Sequence, residues 1–301
     1  MTETSQLVLV TGAHGFIGAR LVQRLLVEGY RVRALVRRPD PVPGAEIVIG
    51  DVADGAVVAQ ATAGAAAIVH TAAYDGDDRD EATHVNVDGT RTLAEAALRA
   101  GCRRFVHFST CGAYALDGLE LVDEETPLWP LDPHSPLVYG VTKAEAERVL
   151  LDVAARGLPI VVLRPPNVLG PDPRNPFALR IAELVKDGAL AVAGEGDATL
   201  PYVHVDNLLD ATLLCLRRPE AVGRSYTVVD GHTTWGAYVG HFAAWFGVDV
   251  PRRDVRDVYD TFRGRFATDR IRDELAYAPR VSFDEAVAET RAFLEARGVV
   301  P

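Results

Sequence analysis

The chain has 301 residues, 48% of them hydrophobic and 24% charged, a composition that excludes a disordered polymer and is ordinary for a folded globular protein. Its 42 acidic against 31 basic residues leave a net charge of −11, which would repel a phosphate backbone, so no nucleic-acid partner is expected. No apolar run has the length of a membrane span, residues 1–6 lack the pattern of a secretory leader, and Cys102, Cys111 and Cys215 have neither metal-ligand nor disulfide-framework spacing. The expectation is a cytoplasmic protein with reduced thiols, no membrane partner and no metal.

The first predicted strand, "LVLVT", runs into "TGAHGFIG", with glycines at Gly12, Gly15 and Gly18, and a helical pattern follows over 16–28. Glycine permits a tight turn and lets backbone amides approach a pyrophosphate, whose charge sits at the helix N-terminus. The turn is therefore expected to hold a dinucleotide, with Gly12, His14, Gly15, Phe16 and Ile17 as its contacts. A second strand, "RVRALVR", ends with Val36 at the place, about 20 residues on, where an acid would bond the adenosine ribose. Valine cannot bond a 2′-hydroxyl, whereas the guanidinium of Arg37 beside it can pair with a 2′-phosphate. NADP(H) is the preferred cofactor on this reading, with NAD(H) as the alternative.

The alternation continues through a strand at "EIVIG", a helix over 53–63, a strand at "AAIVHTA", a helix over 82–100 and a strand at "RFVHFST". A helix over 139–155 and a buried strand, "PIVVLRPPN", broken by Pro165 and Pro166, complete the first half. Strands and helices at this spacing imply right-handed βαβ units: an α/β protein with a Rossmann-type doubly wound parallel sheet and ligands at the carboxyl ends of the strands. After Gly170 the periodicity weakens, leaving a strand at "SYTVVD" and a final helix over 284–295. This pattern predicts a dinucleotide-binding domain over 1–164, to which 198–229 returns, and a smaller C-terminal substrate lobe made of 165–197 and 230–301.

Further motifs occur in order: "GDV" at 50–52, "HTAA" at 70–73, "VNVDGT" at 85–90, "FST" at 108–110, "YGVTK" at 139–143, "LRPPNVLGP" at 163–171 and "YVHVDN" at 202–207. With the glycine turn, they make the chain resemble the extended short-chain dehydrogenase/reductase family over nearly its whole length. The resemblance implies that Tyr139 is the general acid–base and that Lys143, four residues on and on the same helical face, favours its phenolate and holds the nicotinamide ribose. It implies that the hydroxyl of Thr110 polarises the substrate oxygen, Ser109 being the adjacent candidate. It makes Asn86 an architectural hydrogen-bonder, places Asp51 and Val52 at the adenine and Ala72 and Ala73 at the pyrophosphate, and brings Pro165 to Val168, with Pro166 and Val168 as contacts, near the carboxamide. It also implies a homodimer through the helices at 82–100 and 139–155.

His70, His107 and His204 each sit inside an apolar run without metal-ligand spacing and read as structural, and the acidic stretch "YDGDDRDE" reads as solvated surface. The chain also departs from its likeness. Dehydratases of nucleotide sugars in that family carry an acidic pair after the catalytic threonine, where this sequence has Cys111 and Gly112, neither able to act as acid or base. Enzymes of nucleotide sugars also tend to place an arginine shortly before the "YVHVDN" segment, where this chain has Leu200 and Pro201, with Arg263 or Arg265 as substitutes. The reading is an NADPH-dependent reductase or dehydrogenase acting on a ketone or aldehyde of a small, partly apolar substrate, similar to the dihydroflavonol-reductase and hydroxysteroid-dehydrogenase branches. An epimerase of a (nucleotide) sugar is the alternative. A non-catalytic dinucleotide-binding regulator is disfavoured because Tyr139 and Lys143 are both present.

Overall fold

Helices on both faces of a sheet require strands that are apolar on both sides, and the first strands have that character: every residue of β1 (Leu7–Thr11) is buried. The computed structural model describes residues 6–256 and 258–301; residues 1–5, on which most of the expectation about a leader rests, lie outside it. After β1 come α1 (Phe16–Val27), β2 (Arg31–Val36), β3 (Glu46–Ile49), α2 (Gly55–Thr62), β4 (Ala67–His70), α3 (Arg79–Ala82), α4 (Gly89–Arg99), β5 (Arg104–Phe108), β6 (Leu121–Val122), α5 (Val138–Ala154) and β7 (Ile160–Arg164). The rest of the chain forms β8 (Asn167–Leu169), α6 (Pro176–Lys186), β9 (Val192–Ala193), β10 (Thr199–His204), α7 (Val205–Arg217), β11 (Arg224–Thr227), β12 (Gly231–Thr234) and α8 (Trp235–Phe246). It ends with β13 (Arg252–Arg253), α9 (Val258–Thr261), β14 (Arg265–Phe266), α10 (Asp269–Leu275) and α11 (Phe283–Ala296).

Seven strands pair in the order β11-β7-β5-β4-β1-β2-β3, and the neighbours from β7 to β3 run parallel. The chain winds outward from β1 in both directions, so the turn after β1 and the loop after β4 flank the place where the strand order reverses. That is the Rossmann-like α/β arrangement expected, in which ligands generally bind outside the carboxyl ends of the strands where the order reverses. Leu9, Ile68, Phe105 and Ile160 meet Leu93 and Ala97 of α4 and Leu150 and Val153 of α5 in one apolar core.

The helix expected over 82–100 is not one regular helix. α3 passes through a π turn over Thr83–Asp88 before α4 begins, and the wider turn buries Val85, Asn86 and Val87 together. Single π turns of this kind are frequent at functional sites.

Backbone proximity divides the chain into two compact units: a first that runs to Ala115 and includes Pro127–Arg164 and Ala211–Tyr226, and a second made of Leu116–Thr126, Pro165–Asp210 and Thr227–Pro301. The segment returning to the first unit is thus shorter than the 198–229 expected, because β10 pairs with β8 and β12 and not with the seven-stranded sheet. Residues 116–126 join the second unit, where β6 pairs with β14. That unit has its own core, including Leu169, Ile181, Leu200, Tyr238, Phe242 and Leu294. Among the described residues, no helix is long and apolar enough to cross a membrane, and the three cysteines are buried free thiols.

Candidate active site

The glycine turn closes directly on the loop after β4. Gly12 has φ +70°, a conformation that side-chain-bearing residues rarely adopt, and a Cβ there would lie 2.8 Å from the Ala72 nitrogen. A Cβ at Gly18 would overlap the Gly12 carbonyl, and one at Gly15 would sit 3.2 Å from it. Gly15 is the N-cap of α1; no side chain bonds the first amides of that helix, and its first turn carries no acid. These amides are open to an anion, so the cradle of Gly12, His14, Gly15, Phe16 and Ile17 fits a dinucleotide pyrophosphate. Nε2 of His14 lies 3.0 Å from the carbonyl oxygen of Asp40, bridging the turn to the loop after β2. Arg37 follows β2 with its side chain 70% exposed and a Glu81 oxygen at 3.9 Å. Oδ1 of Asp51 accepts from the Ala53 amide at 2.7 Å and faces Nε2 of His84 at 3.3 Å, while Val52 is buried beside Gly89.

On the face of the sheet that α4 and α5 cover, Leu9, Ile68, Phe105 and Ile160 stand in register as one row. The next row toward the carboxyl ends is Thr11, His70, His107 and Val162. Thr11 Oγ1 lies 2.7 Å from His70 Nδ1 and accepts from the Ala72 amide at 3.2 Å. Thr90 Oγ1 lies 3.0 Å from His70 Nε2 and 2.6 Å from the Asn86 carbonyl oxygen. A carbonyl can only accept, so Thr90 donates to Asn86, His70 donates from Nε2 to Thr90, and Thr11 donates to Nδ1. His70 is thereby a neutral Nε2–H tautomer. Burial, with the charge of Lys143 adding to it, holds its pKa down to about 3.

Asn86 has the architectural role expected. Its side chain accepts from the Tyr74 amide and donates to the Tyr74 carbonyl, both at 2.9 Å, and it donates to Thr142 Oγ1 at 3.0 Å. The π turn thus ties the loop after β4 to α5.

Tyr139 and Lys143 lie one turn apart on α5. Lys143 is 1% exposed, and its ammonium donates to Nε2 of His107 at 3.3 Å. Burial lowers the pKa of this amine to about 8, with Glu147, a further turn along, acting in the opposite direction. Glu147 is itself buried and bound by Arg164, Nη2 to Oε2 at 2.6 Å and Nε to Oε1 at 3.0 Å; Arg164 also donates to the Tyr114 hydroxyl at 2.9 Å. The thiol of Cys111 donates to the Arg164 carbonyl at 3.2 Å.

Burial raises the pKa of the Tyr139 hydroxyl, and the charge of Asp75 raises it further, while Lys143 directs its ammonium at His107. Both influences favour the phenol. Asp75 belongs to the stretch read as solvated surface; it is exposed, yet its charge reaches the tyrosine.

Thr110 and Ser109 differ in environment. Thr110 is half-buried and extended, with Oγ1 accepting from the Gly112 amide at 3.1 Å. Ser109 is 3% exposed, shares the strand face of His107, and its hydroxyl has no partner among the described residues. The Ala72 amide is taken by Thr11, and Ala73 is exposed. Pro166 and Val168 belong to the second unit, Val168 opposite Val203 of β10. His204 keeps a structural role there, its amide donating to Asp230 at 2.8 Å and Nε2 lying 3.2 Å from Glu289.

His107, Glu147, Arg164 and Tyr114 were not among the expected site residues. The sequence carried two faint signals: Glu147 repeats the four-residue step from Tyr139 to Lys143, and His107 stands two residues before Ser109 on a strand.

A family model described as the NAD dependent epimerase/dehydratase family matches residues 8–229. The chain is 39% identical over 172 residues to a sterol demethylase protein B of Methylococcus capsulatus, covering 54% of this chain and 52% of that protein. It is 30% identical over 241 residues to a 3-beta-hydroxysteroid dehydrogenase of Mycolicibacterium neoaurum, covering 74% and 65% respectively. This chain therefore spans about half to two thirds of the length of these relatives. Among solved structures, DesIV, a dTDP-glucose 4,6-dehydratase from Streptomyces venezuelae with NAD and TYD bound, is similar with a TM-score of 0.82 at 29% identity over 97% of this chain and 98% of that one.

Proposed function

The chain belongs to the NAD dependent epimerase/dehydratase family, and on that premise we propose that it is an NADPH-dependent reductase of a ketone or aldehyde on a small, partly apolar substrate. The observation that carries this reading is the hydrogen bond from Lys143 to His107, which seats the turn bearing Tyr139 and Lys143 against the end of β5, where Thr110 follows. A bound nicotinamide dinucleotide supplies the hydride. Tyr139 holds a proton on its hydroxyl and delivers it to the substrate oxygen, and a raised pKa suits a group that must arrive protonated. Thr110 uses one lone pair on Gly112 and has its hydroxyl proton for the carbonyl oxygen, whereas Ser109 faces the buried layer. Lys143 stays charged at neutral pH and orients the ribose.

Gly12, His14, Gly15, Phe16, Ile17, Ala72 and Ala73 hold the pyrophosphate, Asp51 and Val52 the adenine, and Pro166 and Val168 the carboxamide. Arg37 carries the preference for the 2′-phosphate, its exposed guanidinium supporting that role. Despite the likeness to a dehydratase, the side chains after Thr110 supply no acid: the Cys111 thiol is bound to a carbonyl and Gly112 has no side chain. The second unit contributes substrate recognition. A second copy of the chain packs on α4 and α5, covering Leu151, which is 54% exposed. An epimerase is the second reading, favoured by the NAD in the similar dehydratase.

The test is a panel of ketones and aldehydes with NADPH, followed by Tyr139→Phe. Turnover is expected to vanish in the variant while nucleotide binding stays nearly unchanged; unaltered turnover overturns the mechanism. Calorimetry should favour NADPH over NADH, and Arg37→Ala should erase that preference. Tightly retained NAD in the purified protein would move the epimerase to the front. Light scattering should return the mass of a dimer.

A further inference from the structure

We infer that His107 is a positioning residue: as a neutral Nδ1–H imidazole it accepts the ammonium of Lys143 at Nε2 and holds that amine at the carboxyl end of β5. Its importance for turnover depends on the function proposed above; the hydrogen bond and the tautomer do not.

A buried ammonium needs acceptors, because burial removes the water that would otherwise solvate it. Lysine can only donate, so the nitrogen it meets must be unprotonated, and the ring proton of a neutral His107 must lie on Nδ1. A charged imidazole is excluded by the cation 3.3 Å away, and burial with the charge of Lys143 keeps the ring far below its ordinary pKa. Nδ1 is buried without a partner among the described residues, so no second hydrogen bond fixes the ring. Its seat is set by packing against His70, with ring centroids 5.3 Å apart, and by the lysine itself.

The groups around Lys143 leave His107 as its direct acceptor. Glu147 on the same helix is bound through both oxygens by Arg164 of β7. His70 of β4 is neutral and committed to Thr11 and Thr90. Tyr139 is a phenol. The π turn and α4 add the uncharged Asn86 and Thr90 to the layer. Adjacent strands therefore hold two histidines in opposite tautomers, one closing a network of hydroxyls and the other receiving the amine.

The chain makes this measurable without a substrate, since it has only two lysines, buried Lys143 and exposed Lys186. Protein labelled with 13C and 15N at lysine gives two side-chain signals, assigned by Lys186→Arg. Its 15N-histidine spectrum, with His107 and His70 assigned by substitution, reports the tautomers. In the wild type, His107 is expected as Nδ1–H and His70 as Nε2–H, neither titrating near neutral pH. A proton on Nε2 of His107, or titration at its ordinary pKa, overturns the inference. In His107→Leu the midpoint of Lys143 should fall by about one pH unit or more, since its charged form loses its acceptor. His107→Gln, whose amide oxygen can accept, should restore most of that loss, with Lys186 unmoved throughout. An unshifted Lys143 in folded His107→Leu also overturns the inference. Should that variant fail to fold, the wild-type tautomer and the glutamine variant decide. These spectra stand whether or not Tyr139→Phe abolishes turnover, so failure of the reductase reading and failure of this one are distinguishable.

Discussion

Two rows of side chains on one face of the sheet lie a single strand repeat apart and have opposite chemistry. Leu9, Ile68 and Phe105 are completely buried and apolar; Thr11, His70 and His107, next along the same three strands, are buried just as deeply and polar. On β7 the apolar pattern continues from Ile160 to Val162, whereas on β2 and β3 the change runs the other way, from the ion-paired Arg33 and Glu46 to Leu35 and Val48. Burial by itself therefore does not define the core of this protein. The first row stabilises by packing, whereas the second is tolerable only because Thr11, both nitrogens of His70 and Thr90 are satisfied. The exceptions, Nδ1 of His107 and the hydroxyl of Ser109, lie toward the end of β5 that leads to Thr110. The site begins where the repeat changes on the three central strands.

The largest break in this contrast should come from the apolar row. Phe105→Ala is expected to cost roughly 3–5 kcal/mol in urea denaturation, by lost burial and the cavity left behind. The polar row should reveal itself through acid. His70 has a folded pKa of about 3, below its unfolded value near 6.5. The unfolded chain therefore binds the proton first. Stability from this group is complete above pH ~6.5 and is lost as pH falls toward 3, by about 1.4 kcal/mol per pH unit. His107 acts in the same direction. Urea midpoints against pH should show the fall, shallower in His70→Phe.

A smaller effect is expected from Thr11→Val, which keeps the shape and removes the hydroxyl. Leaving His70 Nδ1 and the Ala72 amide unpaired should cost about 1–3 kcal/mol by the same assay and weaken dinucleotide affinity. Tyr238→Phe in the second unit should have the smallest effect. That hydroxyl is buried among aromatic rings with no partner among the described residues, so its removal should be neutral or stabilise by up to ~1 kcal/mol. A loss comparable to that of Thr11→Val would mean that the tyrosine has a polar role of its own.

The glycine turn was legible because its requirements are local: left-handed φ and close backbone approach depend on a few consecutive residues. The step from Tyr139 to Lys143 was legible for the same reason, being one turn of one helix. The partners of the buried histidines were not. His70 meets Thr11 from 59 residues away and Lys143 meets His107 from 36, and neither pairing has a local signature. Asp75 was hidden by its setting, an acidic run whose average property is solvation. In the second unit, β8, β9 and β13 are too short to show alternation, and α8, "WGAYVGHFAAWF", is apolar nearly all round and presents no stripe to periodicity. The π turn before α4 adds a residue to the helical repeat that no 3.6-residue pattern anticipates.

Burying Lys143 also has a practical consequence. The exposed side-chain amine that remains is Lys186, at the end of α6 in the second unit, away from the glycine turn and α5 in the chain. Among the side chains, mild amine-directed coupling should therefore modify that lysine without touching the amine proposed for catalysis, and Lys186→Arg should make every lysine left in the protein inert to it.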